Sequence, residues 1–227
     1  MYNYDGIYMG IVYDTLRSMG FYHEDFYINI KPKCGYTNLI HGPVFTTVGE
    51  VVSDNITELE YEKLDNIRLD MYQRELFKNN PIVFLESNDD RVAHSGDLTS
   101  LIYKKLGSVG FVTDGNVRDI DIIDEMNFPV FCKDENPIDA LMHWAIVGYQ
   151  TDIEIDGVKV SPNDYAFASR DGVIVVPNNV IDKFKSISQE QLKRESDIRK
   201  KIHDIDDAIA AMADFDYKKL VSEYGRW

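Results

Sequence analysis

Positive charge is in short supply in this chain. Its 24 lysines and arginines stand against 39 aspartates and glutamates, leaving a formal charge of −15 at pH 7. Such an excess repels phosphate backbones, so no nucleic acid is expected as a partner. Cysteine is scarcer still. Cys34 and Cys132 lie far apart and match no zinc or redox spacing, so the chain suits a reducing compartment and both thiols read as small apolar fillers. No apolar run reaches the roughly 18 residues that a membrane span needs, and "MYNYDGIYMGIVYD" lacks the basic-then-apolar order of a signal peptide. The expectation is a cytoplasmic protein with no membrane partner.

Several catalytic patterns are also missing. The five histidines (His23, His41, His94, His143 and His203) show no paired spacing for a metal. Ser95 beside Gly96 lacks the rest of a GxSxG elbow, and neither cysteine has a histidine nearby in sequence to activate it. No Gly-rich strand-to-helix loop with an acidic partner offers a nucleoside site.

What is present is enough apolar material for a sizeable core. Hydrophobic residues make up 44% of the 227 positions and aromatics 12%, and no repeat or Pro/Ser-rich linker marks a boundary. One α/β domain over 1–227 is expected, with its core at 7–177 and a helical extension at 188–227. Ile7, Ile11, Thr15 and Met19 predict an opening amphipathic helix, closed by Gly20. "LIHGPVFTTVGEVV" predicts strands broken at Gly42-Pro43. A charged helix is expected through "ITELEYEKLDNIRLDMYQRELF", with Ile56, Leu59, Leu64, Ile67, Met71 and Leu76 on its buried face. Then come a strand at 82–86, a loop at 87–96, a helix at 97–106, Gly107 and a strand at 109–113, the order of a βαβ unit. "FPVFC" and "IEIDGVKVSPNDYAFASRDGVIVVP" read as further strands, the latter punctuated by Asp-Gly turns; "RDGV" is a hairpin turn. Ser188 and Gln191 stand in capping-box spacing and open a long C-terminal helix, or two with a bend.

Two stretches can carry chemistry. The loop "SNDDRVAHSGDL" delivers the chain to a helix whose first backbone N–H groups have no intrahelical partner, so the amides of Leu98 and Thr99 can seat an anion. Asp97 either caps that helix or holds a water or metal near it. The second stretch, "TDGNVRD", follows the strand that leaves the same helix, which returns Arg118 and Asp119 to the strand ends where α/β sheets bind ligands. Arg118 offers a planar fork of donors for a carboxylate or a developing oxyanion. Asp119 offers one hard oxygen ligand, enough for magnesium or manganese, which fill their other positions with water and substrate. This reading treats the adjacent pair as two tools aimed at one ligand; the alternative is a surface Arg-Asp turn.

"GDLTSLIYKKLGSVGFVTDGNVRDIDIIDEMNFPVF" resembles the signature of the regulator of ribonuclease activity A (RraA)-like family, which includes 4-hydroxy-4-methyl-2-oxoglutarate/4-carboxy-4-hydroxy-2-oxoadipate aldolases. "GIVYDTLRSMG", with Asp14, is similar to the family's opening helix, "HGPVFTTV" to its Gly-Pro-Ala-Val-Thr strand, and "VSPNDYAFASRDGVIVVP" to its Pro-Gly-Asp turn and closing strand. The likeness spans 7–177, and its specific part is the D-x20-R-D spacing of Asp97, Arg118 and Asp119. It departs in a longer, more charged segment at 54–80, in Pro162-Asn163-Asp164 and in Ala168-Ser169.

The resemblance implies a layered α/β/β-type domain with terminal helices, assembled as a homotrimer or a dimer of trimers. It implies a metal-dependent aldolase or oxaloacetate decarboxylase acting on a 2-oxo acid through a pyruvate enolate. Asp119 would ligate Mg2+ or Mn2+, Arg118 would contact the pyruvyl oxygen, Gly96 with the amides of Leu98 and Thr99 would hold the substrate carboxylate, and Asp97 would orient a water serving as acid or base. A glutamate from a neighbouring subunit's C-terminal region completes the family's aldolase site, and Glu195 stands in that place; on this chain it is equally an i,i+4 partner of Arg199. The family's namesake implies the other outcome, a non-catalytic protein that binds a ribonuclease.

Overall fold

The computed structural model describes residues 4–35, 39–202 and 205–213. The part of the expected C-terminal extension at 203–204 and 214–227, with His203, lies outside the described residues. In chain order the elements are α1 (Met9–Ser18), β1 (Tyr27–Ile28), β2 (Pro32–Cys34), β3 (Ile40–Val51), α2 (Glu58–Asp70), β4 (Ile82–Glu86), β5 (Ala93–Ser95) and α3 (Asp97–Leu106). They continue with β6 (Gly110–Val117), α4 (Ile120–Glu125), β7 (Val130–Glu135), β8 (Trp144–Tyr149), β9 (Ile153–Ile155), β10 (Val158–Val160), β11 (Tyr165–Ser169), β12 (Gly172–Val176), α5 (Ile181–Lys201) and α6 (Ile205–Ala213). They form two compact units, one of 24–178 and one that joins the two ends of the chain, 1–23 and 179–227.

The larger unit is a mixed α/β fold. Among the described residues its main sheet runs β1-β12-β11-β3-β4-β6-β7-β2, with β5 added beside β6 and β8 beside β3. The centre, β3-β4-β6-β7, is parallel. Period-two alternation sends side chains to both faces. Val83, Leu85, Phe111, Val130 and Cys132 join a cluster with Phe45, Tyr103 and Trp144, whereas Ile82, Phe84, Val112 and Phe131 join one with Val160 and Val175. A strand covered on both faces must be apolar throughout, which is why "IVFLE" carries no alternation. Cys34 and Cys132 fill the first cluster as free thiols, and burial pushes both up to about 12, which leaves them unreactive.

The βαβ order holds: β4 is parallel to β6, and α3 spans the 97–106 stretch between them. Gly107 closes α3 in the left-handed region, φ 112°, its N–H reaching Tyr103 O. Asp156 and Gly157, at φ 52° and 81°, make the two-residue turn between β9 and β10. "RDGV" turns β11 into β12.

Several expectations change: the expected loop at 87–96 carries β5, and the expected strand at 109–113 runs on to Val117 as β6, taking in most of "TDGNVRD". Gly42-Pro43 does not break the strand. Residues 40–43 of β3 pair only with β11, and pairing with β4 begins at Val44, so the proline stands where no neighbour on its second side asks for an N–H. The charged helix is shorter than its pattern suggested. It ends at Asp70, and a single tight turn, Arg74–Phe77, follows. No α2 residue is fully buried, while Met71 and Phe77 beyond it are, so the chain turns there to drive both into the core. Its start carries a Thr57/Glu60 capping box, legible in "TELE". Strand β8, from "WAIVGY", was not anticipated.

In the smaller unit α1 buries Met9, Ile11, Val12, Thr15 and Leu16. Thr15 Oγ1 donates to Gln191 Oε1 at 2.7 Å. Helix α5 begins at Ile181, well before the expected cap: Ser188 is an interior residue whose buried hydroxyl donates to Lys185 O at 3.0 Å, and no N-cap side chain closes the true start. The alternative of two helices is the one realised, α5 followed by α6. No described helix is long and apolar enough to cross a membrane.

Candidate functional site

The βαβ unit brings Gly96, Asp97, Arg118 and Asp119 together. Strand β5 pairs in parallel with the end of β6, Ser95 opposite Val117, and Arg118 N donates to Ser95 O at 3.0 Å. This lays the start of α3 against the start of α4. Asp119 occupies the N-cap position of α4 in the left-handed region, φ 61°, yet makes no side-chain cap there. Aspartate tolerates that conformation, and its effect is to turn the carboxylate away from its own helix toward the other. Asp119 Oδ2 lies 3.5 Å from Asp97 N.

Gly96 explains itself at this contact. A Cβ there would fall 2.7 Å from Asp119 Oδ2 and 3.1 Å from Arg118 Cγ, so any side chain here would push both groups from their present positions. Gly96 is also the N-cap of α3 and brings no side chain to cap it. Asp97 is the first residue of the helix, so of its two expected roles the cap is not the one it fills. The first turn of α3 carries an exposed Leu98 and a partly buried Thr99, and its first N–H groups have no intrahelical partner.

Arg118 and Asp119 do touch, contrary to the reading that they are not partners. Arg118 Nε is 3.4 Å from Asp119 Oδ2, while Nη1 makes a shorter bond, 2.7 Å, to Asp139 Oδ2. Asp139 was not anticipated. A backbone hydrogen bond from Leu141, ahead of the Arg118 contact, holds its carboxyl below the usual range. The Asn136-Pro137 turn was the only local signal for it, and nothing in spacing ties it to Arg118. The guanidinium rests between two carboxylates.

The donor set suits a hard divalent cation. Among the described residues no three His, Cys, Asp or Glu stand together in a way that could hold a metal ion by themselves. Magnesium and manganese take one or two carboxylates and otherwise water and substrate. Asp119, with a third of its side chain exposed, offers one such carboxylate.

A cleft of about 460 Å³ adjoins this corner, lined by Gly96, Thr99, Arg118 and Asp139 on one side and by Tyr61, Asp65, Arg68 and Trp144 elsewhere. A roomier cleft, about 680 Å³, lies by Lys31, Asp114, Lys133 and Asp156 but holds none of these groups, so chemistry rather than volume selects the smaller one.

His94, in the wall of the smaller cleft, is a prop. Its Nδ1 accepts from Asn116 N at 3.1 Å, which leaves the proton on Nε2, 3.2 Å from Asp89 Oδ2. Burial holds the imidazole below its ordinary 6.5 despite Asp89, so at neutral pH an uncharged imidazole donates to the Asp89 carboxylate. Burial opposes ionisation of Asp89 too, but hydrogen bonds from Arg91, Val92 and His94 hold it at about 2. The signs follow. The unfolded chain protonates His94 first, so stability falls as pH drops below 6.5. Asp89 contributes stability above 3.8 that is lost as pH falls toward 2. In urea titrations, His94→Gln should flatten the slope of stability just below pH 6.5, whereas Asp89→Asn should cost roughly 1–3 kcal/mol at pH 7. An unchanged slope would remove His94 as the titrating group.

Glu195 belongs to the smaller unit. Arg199 Nη2 donates to it at 3.0 Å and to the Tyr8 hydroxyl at 2.6 Å, the Tyr8 hydroxyl also bonds Glu195, and the guanidinium lies 4.9 Å from the Tyr8 ring centroid. Within this unit it makes the i,i+4 pair.

The family model described as RraA-like, Aldolase/RraA, matches residues 11–175. The chain belongs to the RraA-like family. A Halalkalibacterium halodurans protein, named as a candidate 4-hydroxy-4-methyl-2-oxoglutarate aldolase, is 33% identical over 135 residues, 58% of this chain and 64% of that one; the match thus leaves about a third of that relative unspanned. Two solved structures share the fold of this RraA-like chain. One, from Streptomyces coelicolor, is RraAS2, described as an unusual member of the RNase ES inhibitor RraA family, with TM-score 0.71 at 18% identity over 86% of this chain and 93% of that one. The other, an uncharacterised protein of Pseudomonas syringae pv. tomato, has TM-score 0.71 at 20% identity over 87% and 85%.

Proposed function

We propose that the protein is a divalent-metal-dependent carbon–carbon lyase that cleaves a 2-oxo acid to pyruvate, as an aldolase, an oxaloacetate decarboxylase or both. One observation carries the reading: Arg118 and Asp119 meet at the uncapped start of α3, packed closely against Gly96. The relative named as a candidate aldolase supports it at the level of the family. A cation held by Asp119, magnesium or manganese, would supply positive charge to polarise the keto group. The amides of Leu98 and Thr99 seat the substrate carboxylate. Arg118 leaves Asp139 and turns its fork to the keto oxygen, where negative charge grows as the bond beyond C3 breaks. Asp97 orients the water that takes the hydroxyl proton and returns one to C3.

The proposal includes a homotrimer or dimer of trimers in the cytoplasm, with Glu195 supplied by a neighbouring copy. Leu98, Ile122 and Leu141, on α3, α4 and the loop that carries Asp139, are exposed apolar groups suited to a second copy. The test is pyruvate release from oxaloacetate with magnesium and after chelation. Release that depends on the metal is expected; silence on every 2-oxo acid tried, with a ribonuclease recovered as partner, would favour the binding protein instead.

A further inference from the structure

A second part of the cleft lining bears on what the substrate carries beyond the bond that breaks. It is built by α2, the segment longer and more charged than the family pattern. Here Arg68 is already closed: Nε is 2.7 Å from Asp65 Oδ1, Nη2 is 3.0 Å from Asp65 Oδ2, and Nη1 faces the Tyr72 hydroxyl at 3.5 Å. A fork spent on two parallel bonds to one carboxylate has little left for a second. The cleft's charged lining is Glu62, Asp65 and Asp139 against Arg68 and Arg118. With Arg118 assigned to the pyruvyl end, the rest faces the tail with an excess of negative charge.

A tail ending in a second carboxylate would meet that excess without a free cation. A hydroxyl both donates and accepts, so it can give its proton to Glu62, Asp65 or the Tyr61 oxygen and accept from the rim of Arg68. Tyr61 donates its own proton to Trp144 O at 3.1 Å, and both rings line the cleft, adding apolar faces for the C–H side of such a chain. Pairing of a substrate group with polar side chains that would otherwise stay unmatched discriminates between tails, here at half-buried Asp65 and Arg68.

We propose that the α2 wall selects a 2-oxo acid whose chain beyond C4 is uncharged and hydroxylated, of sugar-acid type, over one that ends in a second carboxylate. The proposal rests on the lyase reading above. The reaction balances without a further reactant. The C3–C4 bond breaks, the C4 hydroxyl loses its proton and becomes an aldehyde, and the electron pair stays on C3 as pyruvate enolate, which takes up one proton.

The full chain with magnesium is assayed for pyruvate release on oxaloacetate, 4-hydroxy-2-oxoglutarate and 2-oxo-3-deoxygluconate. The hydroxylated compound is expected to exceed the carboxylated one in kcat/KM by about tenfold or more. Asp65→Asn, which uncouples Arg68, is expected to lower that ratio by about tenfold, because the freed guanidinium then accepts a carboxylate. Preference for 4-hydroxy-2-oxoglutarate in the parent protein, or an unchanged ratio in the variant, overturns the proposal while oxaloacetate turnover leaves the lyase reading standing. Failure on all three compounds overturns both.

Discussion

Replacing Arg118 by alanine is expected to lower kcat/KM for pyruvate release by about 10²–10³-fold, the cost of removing one preorganised donor from a developing oxyanion. Most of the loss should fall on kcat, because charge on the keto oxygen is greater in the transition state than in the bound substrate. Lysine should restore little: it keeps the charge but not the fork that reaches a carboxylate and an oxygen at once. Asp119→Ala should remove the response to magnesium as well as the activity. Neither change should disturb the fold, since the Arg118 side chain is 38% exposed and its pairs with Asp119 and Asp139 are open to solvent. Thermal melts beside the kinetics separate the two effects. Full activity in either variant would sink the roles assigned here.

Why these two residues could be found in the sequence, when their companions could not, is a matter of distance along the chain. Asp97, Arg118 and Asp119 belong to one βαβ unit, whose helix and strands announce themselves through apolar runs and Gly107. Once that unit is read, both ends of the helix are placed and the meeting of the three residues follows. Asp139 and Arg68 reach the same cleft from a loop and from α2, through packing that no period records. The errors have the same origin. Gly42-Pro43 looks like a break until the neighbours of β3 are known, because a proline is harmless wherever its second side has no partner. Ser188 looks like a cap because its spacing is right, but the helix starts a full turn and more before it, and the hydroxyl bonds back to Lys185. Local signals place elements; the partner strand or packed surface decides where they stop.

The second large effect lies at Gly49, away from the reacting groups. A Cβ here would fall 1.8 Å from Trp144 Cζ2, inside the indole ring. The strand pair is irregular at this point, where the β3–β8 register shifts between Val48 and Gly49. Trp144 has no room to retreat. It is 4% exposed, its Nε1 donates to Ser87 O at 2.7 Å, and its ring stands edge-on to His94 at 4.8 Å. Gly49→Ala is therefore expected to cost about 1–3 kcal/mol in overpacking and about 1–3 kcal/mol more if the indole N–H loses Ser87, read as a fall in the urea midpoint. Gly148→Ala is the matched control. Its Cβ would sit 3.3 Å from Val48 Cγ1, a contact that a small shift relieves, so its cost should stay below about 1 kcal/mol. Because Trp144 and His94 both line the cleft, the Gly49 variant should also lose kcat/KM in the fraction that stays folded. Equal stability losses in the two variants would mean that the Trp144 ring yields freely and that this wall of the cleft is softer than its packing implies.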